Sequence, residues 1–267
     1  MEIVFDNLSI NGMDQVSFDL SSSSFAVING ININNFCDLL LLKKRPLSGS
    51  ISVMGKVIKR SNKVEGYDKI ARKIGIVSDS LFDEFNDYVV EDLFLYYFKE
   101  FKIRKIEDKN QHIVDSLKIV GLRKTISKKM FGEMSYTEKK KVLLACVISV
   151  NPSVIVLDDF AKGLLFRDRE NYKKLFYKLK NKFNKCFIFV NSGIDFIMGY
   201  VDKVIVINKN KLVYDGGKDS FYDDKLYKYV DMPPIISFIK YANEKGYNID
   251  YYTDNKELLK ELYRKIK

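Results

Sequence analysis

Phe25-Ala26-Val27-Ile28-Asn29-Gly30 is a buried-type apolar run that stops at a glycine. Ile31 to Asn35 then lead into a second apolar stretch, Phe36 to Lys44. Strand, loop and helix is the natural parse. Far downstream, Ser153-Val154-Ile155-Val156-Leu157 is the most apolar strand of the chain, and it ends in two acids, Asp158 and Asp159. A long amphipathic helix over Arg167 to Asn181 follows, then strands at Cys186 to Val190, Lys203 to Ile207 and Lys211 to Asp215. Before the first run, Glu2 to Phe5 and Gln15 to Leu20 alternate as half-buried strands do, and Ser50 to Met54 alternates after Arg45-Pro46-Leu47-Ser48-Gly49.

Between these strands, Tyr88 to Ser149 reads as mostly helical. Ile113, Leu117 and Val120 share one face of a helix that Gly121 closes. Strands alternating with helices on both sides of a helical insert predict an α/β fold built on a mostly parallel sheet. From Pro233 onward two amphipathic helices are expected, joined through Gly246 and the tyrosines near Tyr251. The expected division is a main domain over 1–217, its helical part at about 86–148, and a tail over 218–267.

With 267 residues, 46% of them apolar, the chain can bury a substantial core. Its longest apolar stretches, Asp38 to Leu42 and Val142 to Val150, fall short of the ~18 residues that span a bilayer. Met1-Glu2-Ile3-Val4-Phe5-Asp6 lacks the basic and apolar regions of a secretory signal. Cys37, Cys146 and Cys186 are odd in number and widely spaced, so a reducing compartment is expected and each reads as a small buried apolar residue. The net charge of +10 lies largely on helical lysines such as Lys173, Lys174, Lys178, Lys180 and Lys182, which read as a solvated face.

A buried strand ending in glycine, a loop and helix, and a later apolar strand ending in acids form the skeleton of a phosphate-loop ATPase. Further landmarks make the chain resemble an ATP-binding cassette (ABC). Pro46-Leu47-Ser48-Gly49 is similar to the family's PTSG, and Ile74-Gly75-Ile76-Val77 stands where its glutamine loop begins. Met134-Ser135-Tyr136-Thr137-Glu138 resembles the LSGGQ signature, and Asn151 to Asp159 resembles the strand that ends in LDEP. Ala161 to Leu165 is similar to the TAGLD segment, and Val201 to Val206 to the strand after the switch histidine. The tail, with Val230-Asp231-Met232-Pro233-Pro234 and Lys245 to Ile249, resembles ATPase subunits of energy-coupling-factor (ECF) transporters. The resemblance implies an ABC-ATPase fold with an antiparallel β subdomain and a helical insert. It further implies pairing with a second cassette, helped by the tail, and a peripheral place on the cytoplasmic face of the membrane, docked on an embedded transporter subunit.

The family's phosphate loop, GxxGxGK[ST][ST], aligns with Gly30 to Asp38, and only its first glycine is kept. Phe36 replaces the lysine, forfeiting charge-assisted hydrogen bonds of roughly 1.5–3 kcal/mol each and setting an apolar ring beside an anion. Cys37 replaces a magnesium-binding hydroxyl, and Asp38 adds negative charge where phosphate belongs. Ile33 replaces a loop glycine and resists positive φ, whereas Asn35 can adopt it. Asp79 stands at the glutamine-loop position, Tyr136 and Thr137 replace two signature glycines, and Ser135 keeps the signature hydroxyl. Asn191 takes the switch-histidine position and cannot carry a proton. Leu165 replaces the aspartate that crosses the dimer interface.

Asp158 matches the magnesium-binding acid and Asp159 the catalytic glutamate, one methylene shorter. The pair reads either as a residual metal or base site or as a strand end capped by its surroundings. Phe82 and Phe85, in an aromatic cluster after the glutamine-loop position, are candidates for a groove that receives a membrane subunit. His112 is expected on the polar side of its helix, facing solvent.

These residues imply a degenerate, non-hydrolysing cassette subunit of an ECF-type transporter, with no cofactor expected. Two alternatives stand beside it. A divergent ATPase would use Lys43 or Lys44 in place of the lost lysine, with ATP and magnesium as cofactors. A basic regulatory protein would bind nucleic acid, although no recognition motif supports that partner.

Overall fold

The computed structural model describes residues 2–20, 25–41, 43–60 and 67–266, apart from the side chains of Phe25, Val27 and Ile266. Met1 and Leu42, each part of a stretch read above, lie outside the described residues. In chain order the strands and helices are β1 (Ile3–Ile10), β2 (Met13–Leu20), β3 (Phe25–Asn29), α1 (Ile33–Leu40), β4 (Ser48–Val53), β5 (Lys56–Lys59) and α2 (Asp68–Ala71). Next come β6 (Ile74–Val77), α3 (Phe82–Phe85), α4 (Val90–Glu100), α5 (Lys109–Ile119), α6 (Tyr136–Ser149), β7 (Val154–Asp158) and α7 (Phe166–Phe183). The chain closes with β8 (Cys186–Val190), β9 (Lys203–Asn208), β10 (Lys211–Gly216), α8 (Pro234–Glu244) and α9 (Asn255–Ile266).

Two sheets result. One is antiparallel, in the order β2-β1-β4-β5; the other runs β10-β9-β3-β8-β7-β6 and is parallel except at β10. From Val16 to Leu20 in β2 the alternation is clean: Val16, Phe18 and Leu20 point inward while Ser17 and Asp19 point out. In β1 the consecutive outward residues Asp6 and Asn7 shift the register, with Asn7 at φ 45°. β7 lies between β6 and β8 and is buried along its whole length, which is why its sequence is a continuous apolar run. Gly75 in β6 is required by packing: a Cβ there would stand 2.4 Å from Val147 Cγ1 of α6.

The core divides on the two faces of the parallel sheet. One cluster joins that sheet to the antiparallel one and contains α1. The other lies under α4, α5, α6, α7 and the tail helix α8. Among the described residues, no helix is long and apolar enough to cross a membrane.

Three expectations are corrected. The apolar stretch after the loop predicts the first helix at Phe36 to Lys44, but α1 begins at Ile33 and ends at Leu40. Ile33, Phe36, Cys37 and Leu40 fall at i, i+3, i+4 and i+7, so an apolar face already runs from Ile33. β5 has no counterpart in the sequence reading; it is four residues long and buries Ile58 alone. His112 is half-buried rather than solvent-facing, its Nε2 2.9 Å from the Ser149 carbonyl and its ring 5.7 Å from that of Phe98.

Candidate functional site

Only Gly30, Ile31 and Asn32 separate β3 from α1. A phosphate cradle needs several consecutive backbone N–H groups left free to converge on an anion. Here those of Gly30 and Ile31 are engaged by a side chain and that of Asn35 by the helix cap. Asn32 caps α1, its Oδ1 accepting from Asn35 N–H at 3.0 Å. Asn191, at the switch position, accepts on its Oδ1 from the N–H groups of Gly30 at 3.0 Å and Ile31 at 3.4 Å. Its Nδ2 donates to the Ile31 carbonyl at 2.9 Å. One side chain thereby takes up the N–H groups of Gly30 and Ile31 and the Ile31 carbonyl, held in place by a left-handed backbone (φ 49°) that asparagine tolerates.

The surviving glycine has a packing reason. Gly30 lies at φ 83°, and a Cβ on it would stand 1.8 Å from the Ile207 carbonyl oxygen of β9. Ile33 meets no demand for positive φ because it is helical, and Asn35 is helical too rather than left-handed. Asn35 instead donates from Nδ2 to the Asn11 carbonyl and accepts from Lys44. Phe36 is not set beside an anion: it is fully buried and stacks on Phe5 at 6.1 Å, between the two sheets. Cys37 is buried, and burial, with the Asp158 and Asp38 charges adding, pushes its thiol up to about 12. Asp38 pairs with Lys44 at 2.8 Å, so its charge is neutralised within α1's own end. Lys44 is thus committed to Asp38 and Asn35, which gives no support to its acting as a substitute phosphate ligand.

At the end of β7 the other stations are tied to one another. Tyr136 Oη donates to Asp79 Oδ2 at 2.9 Å, joining the signature position to the glutamine-loop position. The Tyr136 ring lies edge-on to Phe82 at 5.6 Å and beneath Gly163, with the Lys140 ammonium 4.7 Å from its centre. Burial, reinforced by the Asp79 bond, raises the Tyr136 phenol above its ordinary range. Ser135 caps α6 in a reciprocal box with Glu138, to which its hydroxyl donates at 2.7 Å. Thr137 contributes a methyl group against Gly163.

Lys140 is a residue that the sequence reading does not single out. It is 1% exposed and donates to the Asp159 carbonyl at 2.6 Å. Its helical spacing with Tyr136, Leu143, Leu144 and Val147 is the signal that marks it as inward-facing. Burial lowers its pKa against the opposing pull of Asp159, Asp79 and Asp158.

Asp158 accepts from the Ser78 hydroxyl at 2.8 Å, and Asp159 is left-handed at φ 36°, its N–H donating to the Val190 carbonyl. Among the described residues no group of three or more side chains converges as metal ligands. Burial raises the Asp158 pKa while the Ser78 bond opposes the shift, so at neutral pH its charge costs stability. Asp158→Asn keeps an acceptor for Ser78 and removes that charge. Its thermal midpoint at pH 7 is expected to rise by roughly 2–4 °C. A raised folded-state pKa means wild-type Asp158 gains its proton as pH falls through that value toward 3.8, so the advantage should vanish near pH 4.

Phe85, one of the two groove candidates, is 3% exposed and edge-on to Tyr88, Tyr96 and Phe131. It forms the floor of a cleft of about 260 Å³ whose rims carry Lys43, Arg72, Glu84 and Glu100. Phe82 is not among the residues lining that cleft; it packs against Phe131 and Tyr136 under the Lys139 ammonium. Leu165, in place of the interface aspartate, is 75% exposed.

Residues 13–162 match the family described as ABC transporter. The chain is 23% identical over 266 residues to the energy-coupling factor transporter ATP-binding protein EcfA of Malacoplasma penetrans, covering 96% of this chain and 88% of that one. It is 29% identical over 200 residues to the energy-coupling factor transporter ATP-binding protein EcfA2 of Bacillus subtilis, covering 73% and 71%. The structure of cbiO1 from Clostridium perfringens, part of the ABC transporter complex cbiONQ, superposes with a TM-score of 0.68 at 21% identity, covering 89% of this chain and 98% of that one. A matched span of more than half the chain and the shared fold agree: the protein belongs to the ABC transporter family, and it is similar to the ATP-binding proteins of energy-coupling factor transporters.

Proposed function

We propose that this chain is a cassette subunit of an ECF-type transporter that does not hydrolyse ATP, and that it acts by pairing with a second cassette and holding a membrane-embedded subunit. The observation that carries the reading is Asn191, whose side chain already bonds the loop N–H groups of Gly30 and Ile31. The Tyr136–Asp79 bond supports it from the other side of the site, because signature and glutamine-loop positions satisfy each other within one chain. With Phe36 in the core, the position of the family's phosphate-binding lysine holds an apolar ring turned away from the loop. The role left to such a chain is structural: it supplies a cassette's surfaces without its chemistry, on the cytoplasmic face of the membrane.

The test is co-expression with a candidate membrane subunit and a second, intact cassette. The three are expected to co-purify, and substitution of Asp158 and Asp159 together in this chain should leave the magnesium-dependent ATP turnover of the complex unchanged. Turnover by the purified chain alone, abolished by the same double substitution, would refute the reading.

A further inference from the structure

We infer that the Lys140 ammonium is the cation of the acid cluster at the end of β7, supplied by the chain itself, and that this cluster does not take the divalent metal that the family's pattern implies there. The inference rests on the proposed loss of hydrolysis and names what stands in place of the metal's charge.

The donor set does not fit magnesium. That ion demands a near-octahedral shell of oxygens, built from one or two carboxylates together with waters and phosphate oxygens. The hydroxyl that would join the shell is replaced by the buried thiol of Cys37. Asp158 Oδ2 already accepts from the Ser78 hydroxyl at 2.8 Å, and Asp79 Oδ2 accepts from the Tyr136 hydroxyl at 2.9 Å. The phosphates that would complete the shell have no free cradle, since Asn191 holds the N–H groups of Gly30 and Ile31.

A cation of another kind is present. Tyr136 opens α6 and Lys140 follows one turn later, so the two side chains share a face of the helix. The Lys140 ammonium donates to the Asp159 carbonyl at 2.6 Å and stands 4.7 Å from the centre of the Tyr136 ring. The hydroxyl of that ring bonds Asp79, so ammonium, ring and acid form one continuous unit. Because Lys140 bonds a backbone carbonyl rather than any one carboxylate, its charge is shared: Asp159, Asp79 and Asp158 all attract it. Such partners are what allow a lysine to sit 1% exposed, where a lone ammonium would be very costly. Lys162, exposed, faces the same ring from 5.9 Å and adds positive charge from the solvent side. A tethered ammonium of this kind has no ligand shell to fill and no association cost to meet.

Thermal melts of the full chain test this, at constant ionic strength so that screening does not change. The wild-type midpoint is expected to agree within about 2 °C between EDTA and about 10 mM magnesium chloride. Lys140→Met keeps the length of the side chain, removes its charge and should lower the midpoint. In that background Asp158→Asn with Asp159→Asn should raise the midpoint by at least about 2 °C more than the same pair does in wild type, because it removes acids that have lost their cation. Asparagine suits both positions, keeping an acceptor for Ser78 and tolerating the left-handed backbone at 159. Should Lys140→Met alone not fold, the expected result is a cooperative melt regained with the two asparagines, and failure to regain it overturns the inference. A larger, saturable rise of the wild-type midpoint with magnesium overturns it, and so does an asparagine pair that acts equally in both backgrounds. Either result without ATP turnover leaves the cassette reading standing, whereas magnesium-dependent turnover by the chain alone refutes both.

Discussion

Phe36→Lys is expected to unfold the protein, not to rebuild a nucleotide site. In an alignment this is the substitution that restores the family's lysine. In the fold it places an ammonium in the layer between the two sheets, where Phe36 is fully buried and stacked on Phe5, itself stacked on Phe18 at 4.1 Å. Loss of a buried aromatic side chain alone costs about 3–5 kcal/mol. An uncompensated charge at the same position adds to that. Against a total stability of about 5–15 kcal/mol, the sum leaves the variant unfolded or close to it. Urea denaturation followed by circular dichroism checks this: Phe36→Ala should retain a cooperative but much earlier transition, and Phe36→Lys should show little or none. A folded Phe36→Lys that binds ATP would mean that the ring can leave the core at small cost.

Tyr136→Gly, which restores a signature glycine, is expected to have the second largest effect, a loss of roughly 2–4 kcal/mol. The ring fills the space between Phe82, Lys140 and Gly163, and its hydroxyl is the donor to Asp79. Tyr136→Phe removes the hydroxyl alone and should cost about 1–3 kcal/mol, because the acceptor is a carboxylate. The difference between the two variants separates ring packing from the hydrogen bond. The raised phenol pKa adds a pH signature. Tyr136 stays neutral in the folded protein where the unfolded chain would ionise, so its contribution is complete below pH 10 and is lost as pH rises above that value. Tyr136→Phe should reduce the alkaline loss of stability.

These expectations show why single reversions fail in this chain. Four departures from the family motif have partners: Phe36 has Phe5, Tyr136 has Asp79, Asn191 has the loop backbone, and Asp38 has Lys44. The replaced residues pack and bond as parts of the fold.

Much of this was legible beforehand. The apolar run Val154–Leu157 with its terminal acids, the alternation in β2 and the two tail helices follow from periodicity and burial alone. The start of α1 is obscured because the polar Ile31 to Asn35 segment reads as a loop before the apolar stretch at Phe36, while the spacing of Ile33, Phe36, Cys37 and Leu40 extends the helix backward. The same shift moved Phe36 from an imagined phosphate pocket into the core. His112 is misplaced, and Lys140 missed, for another reason. Polar residue types suggest solvent, yet both lie beside backbone carbonyls, of Asp159 and Ser149, that serve as their hydrogen-bond partners. Asn191 can be aligned with the switch histidine from sequence, but its three bonds to a loop some 160 residues away depend on β3 and β8 lying side by side.

Calorimetric titration of the purified chain with magnesium and ATP tests the central claim most directly. With the loop N–H groups of Gly30 and Ile31 held by Asn191 and Phe36 buried in place of the family's lysine, the expected result is no binding heat up to about 1 mM ATP, an affinity weaker than about −4 kcal/mol. Saturable binding in the micromolar range would contradict the account.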